Sequence, residues 1–334
     1  MAMRQLSISV YFVKAVLKHA VSQGLEPAAL LRLNRISPRL LDESDARISI
    51  ERFADLQVAT MLAMGDESLG YGNHRLPIGA WSMMCYAVIG CDTLGQALAR
   101  YCRFFGLFMQ PHGPLLRIEE GRAMIQLSES NTAATEHYGV EHALFNCHRF
   151  ASWLVQEHLP LIEVHFQHSA PSHFEEYRHM FLGSPVMFDQ PLTQIVFNEA
   201  LLGKPVTQNE QSLTRFLRHP VLALLSQQYD QASWTSRVRQ ILRGDLTDLA
   251  ELDAVAQQLE LHPQTLRRRL NKEGSSFSEI KSLLRRDVAL HYLGKQGLSI
   301  EEIAHRAGFS ESSAFIRAFK GWTGVTPYTY RKGV

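Results

Sequence analysis

Two stretches near the carboxyl end of the chain repeat one pattern. The first reads DAVAQQLELHPQTLRRRLN at residues 253–271, and the second reads IEEIAHRAGFSESSAFIRAFK at residues 300–320. A shift of 48 residues aligns their first halves, and one inserted residue then places Arg268 on Arg317. A short helix, a tight turn and a second helix with a cationic outer face are typical of a helix-turn-helix, which presents a helix to the DNA major groove.

Both copies carry local signals for the helix ends and the turn. Ile300 and Ile303 recur at helical spacing, so that one face can be buried. Gly308 follows the first helix, where a positive φ is usually needed and glycine adopts it without strain. Ser310 is then expected to cap the second helix. In the first copy Pro263 suits the first position of a helix, since its missing N–H would have had no partner there.

Each second helix is predicted to bury an apolar stripe and to present polar side chains outward. The stripes are Leu266 and Leu270 in the first copy and Phe315, Phe319 and Trp322 in the second. The predicted DNA contacts are Gln264, Arg267, Arg268 and Asn271 in the first copy and Ser310, Ser312, Ser313, Arg317 and Lys320 in the second. Arginine can bind O6 and N7 of guanine with two hydrogen bonds, and glutamine or asparagine can do the same to adenine. A merely solvated arginine-rich face is the alternative, and the matching arginine in both copies argues against it.

Residues 299–331 resemble the signature of the AraC/XylS family of transcriptional regulators. The matching elements, in order, are Gly308-Phe309, Phe315, Arg317-x-Phe319-Lys320, Gly324-x-Thr326-Pro327 and Tyr330-Arg331. The resemblance covers about 235–332 and implies seven helices, with two helix-turn-helix units joined by one long helix at about Ser278–Leu293. That joining helix would set the two reading helices about one turn of DNA apart, roughly 34 Å.

The resemblance also implies the roles of individual residues. It implies base reading by Gln264, Arg267 and Arg268 in the first unit and by Ser312, Ser313 and Arg317 in the second. One departure is His262-Pro263, which replaces the serine-type cap usual in the first unit. The prediction is a sequence-specific regulator, an activator that binds direct-repeat sites on double-stranded DNA as a homodimer. RNA polymerase and a small-molecule effector are the other predicted partners, and no cofactor is predicted.

Charge and composition agree with two domains. Residues 233–334 carry a net charge of +5 and the remainder −4, which together give the +1 of the whole 334-residue chain. A basic module of this modest charge is expected to depend on base contacts and dimerisation for recognition. Four cysteines without metal spacing indicate thiols that pack in a reducing compartment. The chain shows neither a signal-peptide pattern nor eighteen consecutive apolar residues, so a soluble, cytoplasmic protein is expected.

The first two hundred residues are predicted to mix helices and strands. The predicted helices are Val10–Gln23, Pro27–Leu33, Pro38–Leu41, Ile50–Met64, Leu94–Phe108, Thr135–Glu157 and His173–Phe181. The predicted strands are Leu115–Ile118, Ala123–Leu127, Ile162–Phe166, Val186–Phe188 and Gln194–Phe197, with a hairpin that turns near Gly121. A looser resemblance over about 20–205 links this part to the arabinose-binding-type domain of ornithine-utilisation and mycobacterial virulence regulators within the same family.

The predicted fold class is an α+β N-terminal sensing domain followed by an all-α DNA-binding domain of about seven helices with two helix-turn-helix motifs. Residues 1–205 form the effector-binding and dimerisation domain in this prediction. Residues 206–232 form a connecting helix, with Ser212–Tyr229 as its helical part, and residues 233–334 form the DNA-binding domain.

Aromatic residues are candidates for an apolar effector pocket in the sensing domain. The candidates are Trp81, Tyr101, Phe104, Phe105 and Phe108, with Arg75, Arg103 or His112 as the polar contact. For any single aromatic residue, ordinary core packing is the more frequent role.

No metal site is predicted in the sensing domain. Positions i and i+5 of a helix do not share a face, which argues against a metal bound by His137, Glu141 and His142 together. His165 and His168 are expected on opposite sides of one strand, so the histidines are interpreted as scattered and solvated.

Two other functions are weighed. An enzyme fused to the DNA module would be an alkyl-transferring repair domain or an amidotransferase-like domain. The first needs a cysteine zinc site near the N-terminus, but no cysteine precedes Cys85, and none of the four cysteines lies on the glycine-framed elbow that the second needs. The chain is therefore predicted not to be an enzyme. A ligand-independent or architectural regulator, whose front domain only dimerises, stays open because sequence cannot distinguish a filled pocket from a packed core.

Overall fold

The computed structural model describes residues 7–44, 46–109, 113–127, 136–181, 183–227, 234–242, 250–272, 275–294 and 297–332. The strands are β1 (Ser7–Ser9), β2 (Arg47–Ser49), β3 (Pro114–Glu119), β4 (Arg122–Leu127), β5 (Leu161–His165), β6 (Val186–Met187) and β7 (Thr193–Asn198). The first nine helices are α1 (Val10–Ser22), α2 (Pro27–Leu33), α3 (Ile50–Met64), α4 (Ala80–Ile89), α5 (Leu94–Gly106), α6 (His137–Val155), α7 (Tyr177–Met180), α8 (Glu210–Phe216) and α9 (Pro220–Leu225). The others are α10 (Trp234–Leu242), α11 (Leu252–Gln258), α12 (Pro263–Lys272), α13 (Phe277–Leu293), α14 (Ile300–Arg306), α15 (Ser312–Thr323) and α16 (Pro327–Lys332). Short 3-10 turns lie at Pro38–Asp42, Phe174–Glu176 and Glu199–Gly203.

The chain divides into two compact units. One, here called the sheet unit, comprises Ala15–Glu26 and Gln57–Tyr229. The other, here called the helical unit, comprises Met1–Lys14, Pro27–Leu56 and Asp230–Val334. None of the described helices is both long enough and apolar enough to cross a membrane.

A five-stranded mixed sheet forms the centre of the sheet unit. The strand order is β3-β4-β7-β5-β6, with β5 parallel to β6 and the other neighbours antiparallel. Strands β3 and β4 form the predicted hairpin, and its two turn residues, Glu120 and Gly121, have φ values of 50° and 76°. Two successive positive φ angles match the right-handed twist of a two-residue hairpin. The prediction of a hairpin near Gly121 is therefore confirmed.

Helix α4 was not predicted from the sequence. Its residues, AWSMMCYAVI, are mostly apolar on every side, so no 3.6-residue period distinguishes one face. Met84, Cys85 and Val88 are nevertheless fully buried and belong to the core of the sheet unit. Tertiary packing, rather than an amphipathic pattern, therefore fixes this helix.

The predicted connecting helix at 206–232 is replaced, in its described part, by two short helices. Helix α8 ends at Phe216, and α9 begins at Pro220. A proline disfavours helical backbone at the preceding residue, which separates the two helices at His219. Leu213, Phe216 and Leu224 are buried in the core of the sheet unit, so these helices complete that unit. The prediction of one continuous helix is wrong.

Seven helices, α10 to α16, make up the described part of residues 234–332. Helix α13 joins a first half, α10 to α12, to a second half, α14 to α16. It starts at a capping box, in which the side chains of Ser276 and Glu279 each accept a hydrogen bond from the other residue's backbone N–H. Leu266, Leu270, Ile280 and Leu284 form part of the core of the first half. In the second half the indole N–H of Trp322 donates to Ser282 Oγ at 3.0 Å, which ties α15 to α13.

Residues 7–14 and 27–56, predicted to lie in the N-terminal domain, pack instead with the C-terminal helices. Ser7 on β1 donates a hydrogen bond to Asp287 on α13 at 3.0 Å. The guanidinium of Arg52 lies 5.5 Å from the ring centre of Tyr330 on α16. Because Ser7, Arg52, Asp287 and Tyr330 are all buried, these contacts belong to the interior of the helical unit.

Candidate nucleic-acid interface and effector site

The two repeated stretches fold into two helix pairs with the same backbone hydrogen bonds. Helices α11 and α12 form the first pair, and α14 and α15 form the second. The N–H of Leu261 donates to the carbonyl of Ala256 at 2.9 Å, and 48 residues later the N–H of Phe309 donates to the carbonyl of Ala304 at 3.0 Å. The sequence repeat is therefore a repeat of backbone geometry.

The turn of each pair contains one residue with left-handed backbone. Gly308 has a φ of 77°, as its place after α14 predicts, and Glu260 occupies the equivalent place after α11 with a φ of 56°. The glycine signal is absent from the first turn, but the hydrogen bonds around Ala256 impose the same conformation there. The first turn consequently carries the strain of a side chain in the left-handed region.

The second helix of each pair begins differently. Helix α12 begins at Pro263 as predicted, and the ring Nδ1 of His262 accepts a hydrogen bond from the N–H of Gln264 at 3.3 Å. His262 thus takes the place of the serine-type cap. In the second pair the cap position is Glu311, without a side-chain cap, so the prediction that Ser310 caps α15 is wrong. Ser310 lies one residue earlier, in an exposed bend.

The outer face of α12 is polar and solvent-exposed. Leu266 and Leu270 are completely buried. The predicted contact residues on the opposite face are all exposed, namely Gln264, Arg267, Arg268 and Asn271. Arg269 differs from its two neighbours, since its guanidinium lies 4.0 Å from the ring centre of Trp234. Helical spacing therefore leaves Arg267 and Arg268 as the arginines of this run that face outward.

The outer face of α15 repeats this arrangement. Phe315 and Phe319 are completely buried. Four of the five predicted contact residues are exposed, namely Ser310, Ser313, Arg317 and Lys320, and Ser312 is half-buried. In the described part of the chain no ion pair neutralises Arg267, Arg268 or Arg317. Two exposed cationic faces on one basic module are suited to bind phosphates and base edges.

Two family models match the chain. The arabinose-binding domain of AraC transcription regulators matches residues 24–206, and a helix-turn-helix domain matches residues 255–333. The chain belongs to the AraC family of transcriptional regulators. This AraC-family protein is a DNA-binding regulator, and its front part is of the arabinose-binding type.

Named relatives agree with this assignment. The ornithine utilization regulator of Pseudomonas aeruginosa is 29% identical over 330 residues, which cover 97% of this chain and 96% of that protein. The regulator VirS of Mycobacterium tuberculosis is 26% identical over 319 residues, which cover 92% of this chain and 91% of that protein. The urease operon transcriptional activator of Escherichia coli is 41% identical over 80 residues, or 24% of this chain and 27% of that protein. These relatives are named as regulators, in agreement with the prediction that the chain is not an enzyme.

The aromatic effector candidates of this AraC-family regulator lie together. The rings of Trp81 and Phe104 lie 6.3 Å and 5.5 Å from the ring of Phe105, and Phe108 lies 5.3 Å from Phe104. The indole N–H of Trp81 is buried and has no hydrogen-bond partner among the described residues. An unpaired buried donor of this kind costs free energy unless a ligand or water accepts its hydrogen bond.

The polar effector candidates are not brought to that cluster. Arg75 and Arg103 are exposed, and among the described residues no hydrogen bond or cation–π contact joins either to the aromatic rings. His112 lies outside the described residues. The four cysteines are buried free thiols, and burial raises the pKa of Cys102 to about 12. The thiols thus act as packing residues, as predicted.

A histidine cluster lies where the sequence indicated only scattered residues. Strand β5 ends at His165, so His168 lies in the following bend and not on the strand as predicted. Its ring stacks on that of His137, with 3.9 Å between ring centres. The spacing of His137 and Glu141 on one face of α6 is the only sequence signal that points to this cluster.

Proposed function

We propose that this regulator reads a bipartite DNA site with α12 and α15, the second helices of two helix-turn-helix motifs. In the first motif Gln264, Arg267, Arg268 and Asn271 contact base edges. In the second, Ser312, Ser313 and Arg317 contact base edges, while Ser310 and Lys320 contact the DNA backbone. The observation that supports this proposal is the repeated backbone geometry of the α11–α12 and α14–α15 pairs, together with the exposed arginines on α12 and α15.

The length of α13 supports the placement of α12 and α15 in two major grooves on one side of the DNA duplex. Its 17 residues span about 25 Å at 1.5 Å per residue. Adjacent major grooves on one side of the duplex are about 34 Å apart. A rigid helix of this length between two reading helices fits two grooves one turn apart. The proposed sites are direct repeats that a homodimer occupies.

An activating role that involves RNA polymerase belongs to the same proposal. The relative named as a urease operon transcriptional activator is similar to this chain over 80 residues. We propose that a small-molecule effector binds the sheet unit at the cluster of Trp81, Phe104 and Phe108 and shifts the regulator toward its DNA-binding state. An effector does this only if it binds one state more tightly than the other.

Selection of DNA from a random library tests the two-reader proposal. Each chain of the wild-type protein is expected to select a half-site with two conserved blocks about 10 base pairs apart, and a homodimer should select two such half-sites in direct repeat. Arg267→Ala should relax base preference in one block and Arg317→Ala in the other, because each arginine reads its own groove. Arg218→Ala, which changes an exposed arginine of the sheet unit, is the matched control. If both substitutions relaxed the same block, or if the wild type selected one block only, the bipartite proposal would be wrong.

Thermal unfolding with a panel of amino acids, fatty acids and aromatic acids tests the effector proposal. A true effector raises the melting temperature of the wild type. Trp81→Phe keeps an aromatic ring but removes the indole N–H, and it should reduce that shift. If no compound stabilises the wild type, the ligand-independent alternative is favoured; if Trp81→Phe leaves the shift unchanged, the effector binds elsewhere.

A further inference from the structure

A buried carboxylate in the sheet unit has one oxygen without a hydrogen bond. Glu141 on α6 is completely buried. Its Oε1 accepts a hydrogen bond from the hydroxyl of Tyr177 and lies 3.3 Å from Nε2 of His173. Its Oε2 is buried and has no partner among the described residues. Two neighbours therefore hold the carboxylate in place through one oxygen and leave the other as an unmet acceptor.

A histidine beside Glu141 also has an unmet acceptor. The Nδ1 of His168 lies 2.9 Å from the carbonyl oxygen of Ser169. Because a carbonyl can only accept, Nδ1 carries the proton, and in the neutral ring Nε2 has a free lone pair. That Nε2 is buried and has no partner among the described residues.

The ring of His137 completes the cluster. It lies one helical turn before Glu141 on α6 and stacks on the ring of His168 with an interplanar angle of 15°. One ligand atom each of His137, Glu141 and His168 can be chosen so that all three lie within 4.8 Å of one another. Glu141 and His168 thus each bring a buried unmet acceptor to this cluster, and a cation or a hydrogen-bond donor would satisfy them.

We propose that His137, Glu141 and His168 bind one divalent transition-metal ion, of which Zn²⁺ is the type. Two imidazoles and one carboxylate are a ligand set that Zn²⁺ takes where it keeps one position open. Imidazole and carboxylate ligands also suit Fe²⁺, Co²⁺ and Ni²⁺. The proposal therefore names the class of metal ion and not one element. His142, the next histidine on α6, is not part of this set, because its ring Nε2 lies 3.0 Å from the side-chain amide nitrogen of Gln57.

The surroundings of the three ligands resemble those of known metal sites. A metal-binding histidine typically donates its other ring N–H to a carbonyl, as His168 does to Ser169. A binding carboxylate is typically held by further hydrogen bonds, as Tyr177 and His173 hold Glu141. Donor atoms around a tetrahedral Zn²⁺ at about 2.1 Å lie about 3.4 Å apart. Because the rings of His137 and His168 are stacked and nearly parallel, they have to rotate out of the stack to direct a nitrogen each at one ion.

Metal titration of the full-length protein tests the site. The protein is treated with a chelator, dialysed and titrated with Zn²⁺ by calorimetry, and one ion per chain is expected. Co²⁺ replaces Zn²⁺ in a parallel titration, in which visible d–d absorption reports nitrogen and oxygen ligands. The tightly bound Co²⁺ should be displaced by Zn²⁺. Neither titration involves DNA, so its result is independent of the proposed DNA reading.

Site-resolved measurements identify the ligands. His168→Ala and His137→Ala change half-buried side chains and should each weaken Zn²⁺ binding by more than ~100-fold, since even loss of a hydrogen bond to a metal ligand costs ~10–100-fold. His305→Ala removes an exposed histidine of the helical unit and is the control for adventitious surface binding. Circular dichroism is the check that each variant is folded. In the wild type, Zn²⁺ should protect His137 and His168, but not His305, from diethylpyrocarbonate.

Three results would overturn the proposal. The first is a wild type that binds no Zn²⁺ or Co²⁺ below ~100 µM, which would mean that water alone satisfies the buried acceptors. The second is unchanged binding in a folded His137→Ala or His168→Ala variant. The third is diethylpyrocarbonate modification of His137 and His168 that Zn²⁺ does not reduce. This last measurement needs only the wild-type protein and decides the question even if a variant fails to fold.

Discussion

The hydroxyl of Ser7 donates a hydrogen bond to the carboxylate of Asp287 at 3.0 Å, although the two residues lie 280 positions apart in the sequence. Both are buried, at 0% and 8% exposure, and Asp287 lies in α13, the helix that joins the α11–α12 pair to the α14–α15 pair. The first strand of the chain is therefore part of the interior of the helical unit. A fragment that starts at residue 234 lacks this donor and keeps the contact of Arg286 with the same carboxylate oxygen at 3.4 Å.

Loss of the Ser7 hydroxyl is expected to destabilise the helical unit. Ser7→Ala leaves a buried carboxylate with one donor fewer, and the free energy of unfolding should fall by about 1–3 kcal/mol. Urea unfolding followed by circular dichroism measures the change. Ser22→Ala removes an exposed hydroxyl that bonds its own helix and should change stability by less than about 0.5 kcal/mol. Equal stability of Ser7→Ala and wild type would show that the hydrogen bond contributes nothing.

Glycine substitutions in the two turns should have opposite effects. Glu260→Gly removes left-handed strain at a φ of 56° and should stabilise by about 0.5–1 kcal/mol after the entropy cost of glycine. Gly308→Ala introduces the same strain at a φ of 77° and should destabilise by about 1–2 kcal/mol. Glu301→Gly, within α14, controls for glycine in a helix and should destabilise by about 0.5–1 kcal/mol. A destabilised Glu260→Gly variant would contradict the repeated turn geometry.

Arg317→Ala is expected to weaken binding to the selected site by about 1–3 kcal/mol, a factor of roughly 5–150, and to leave random DNA nearly unaffected. The reason is that a base contact is lost and no ion pair in the described residues engages the arginine. Fluorescence anisotropy with both DNAs measures the two affinities. Equal losses on the two DNAs would make Arg317 a backbone contact.

Lys320→Ala should change the salt dependence of the DNA affinity and leave the sequence preference unchanged. A lysine that neutralises one phosphate contributes about one unit to the slope of log K against log salt. Lys320 is exposed one turn after Arg317, near the end of α15. Affinities of wild type and variant between low and physiological salt give the two slopes. Identical slopes would place Lys320 away from the DNA.

Acid should destabilise the sheet unit through a buried histidine. Burial lowers the pKa of His148 to about 3, and its Nε2 donates to the carbonyl of Leu159 at 2.9 Å. The unfolded chain, with a histidine pKa of about 6.5, binds a proton that the folded state excludes, so stability is present above pH 6.5 and falls as the pH drops toward 3. Between pH 7 and 5 this group costs about 2 kcal/mol. Burial also lowers the pKa of His142, to about 4, and this residue adds a similar loss of stability over the same pH range.

Urea unfolding at pH 7, 6 and 5 measures this dependence. His148→Gln removes the titrating group and should reduce the loss between pH 7 and 5 by about 2 kcal/mol. His305→Ala, an exposed histidine of the other unit, should leave the pH profile unchanged. An unaltered profile in a folded His148→Gln variant would assign the acid sensitivity to other groups.

Local features of the structure could be predicted from sequence where one physical cause dominates. Helices α2 and α3 match their predicted bounds, Pro27–Leu33 and Ile50–Met64, because an apolar face and a clear end signal mark them. The outward position of Arg267 and Arg317 followed from helical spacing alone, since burial of Leu266 and Phe315 fixes the rotation of each helix. The cap of α15 was misplaced by one residue, because Ser310 and Glu311 are both compatible with a helix start.

The amino-acid sequence by itself determined the helices α12 and α15, their exposed arginines and the hairpin at Gly121, because spacing along one helix or strand decides which side is buried. Only the tertiary structure decided that Ser7 donates a hydrogen bond to Asp287, that α4 lies in the core of the sheet unit and that the ring of His168 stacks on that of His137. Those contacts join residues far apart along the chain, and local periodicity carries no information on the path between them. The physical reason is that burial selects a face locally, whereas partners across the fold are selected by the packing of whole units.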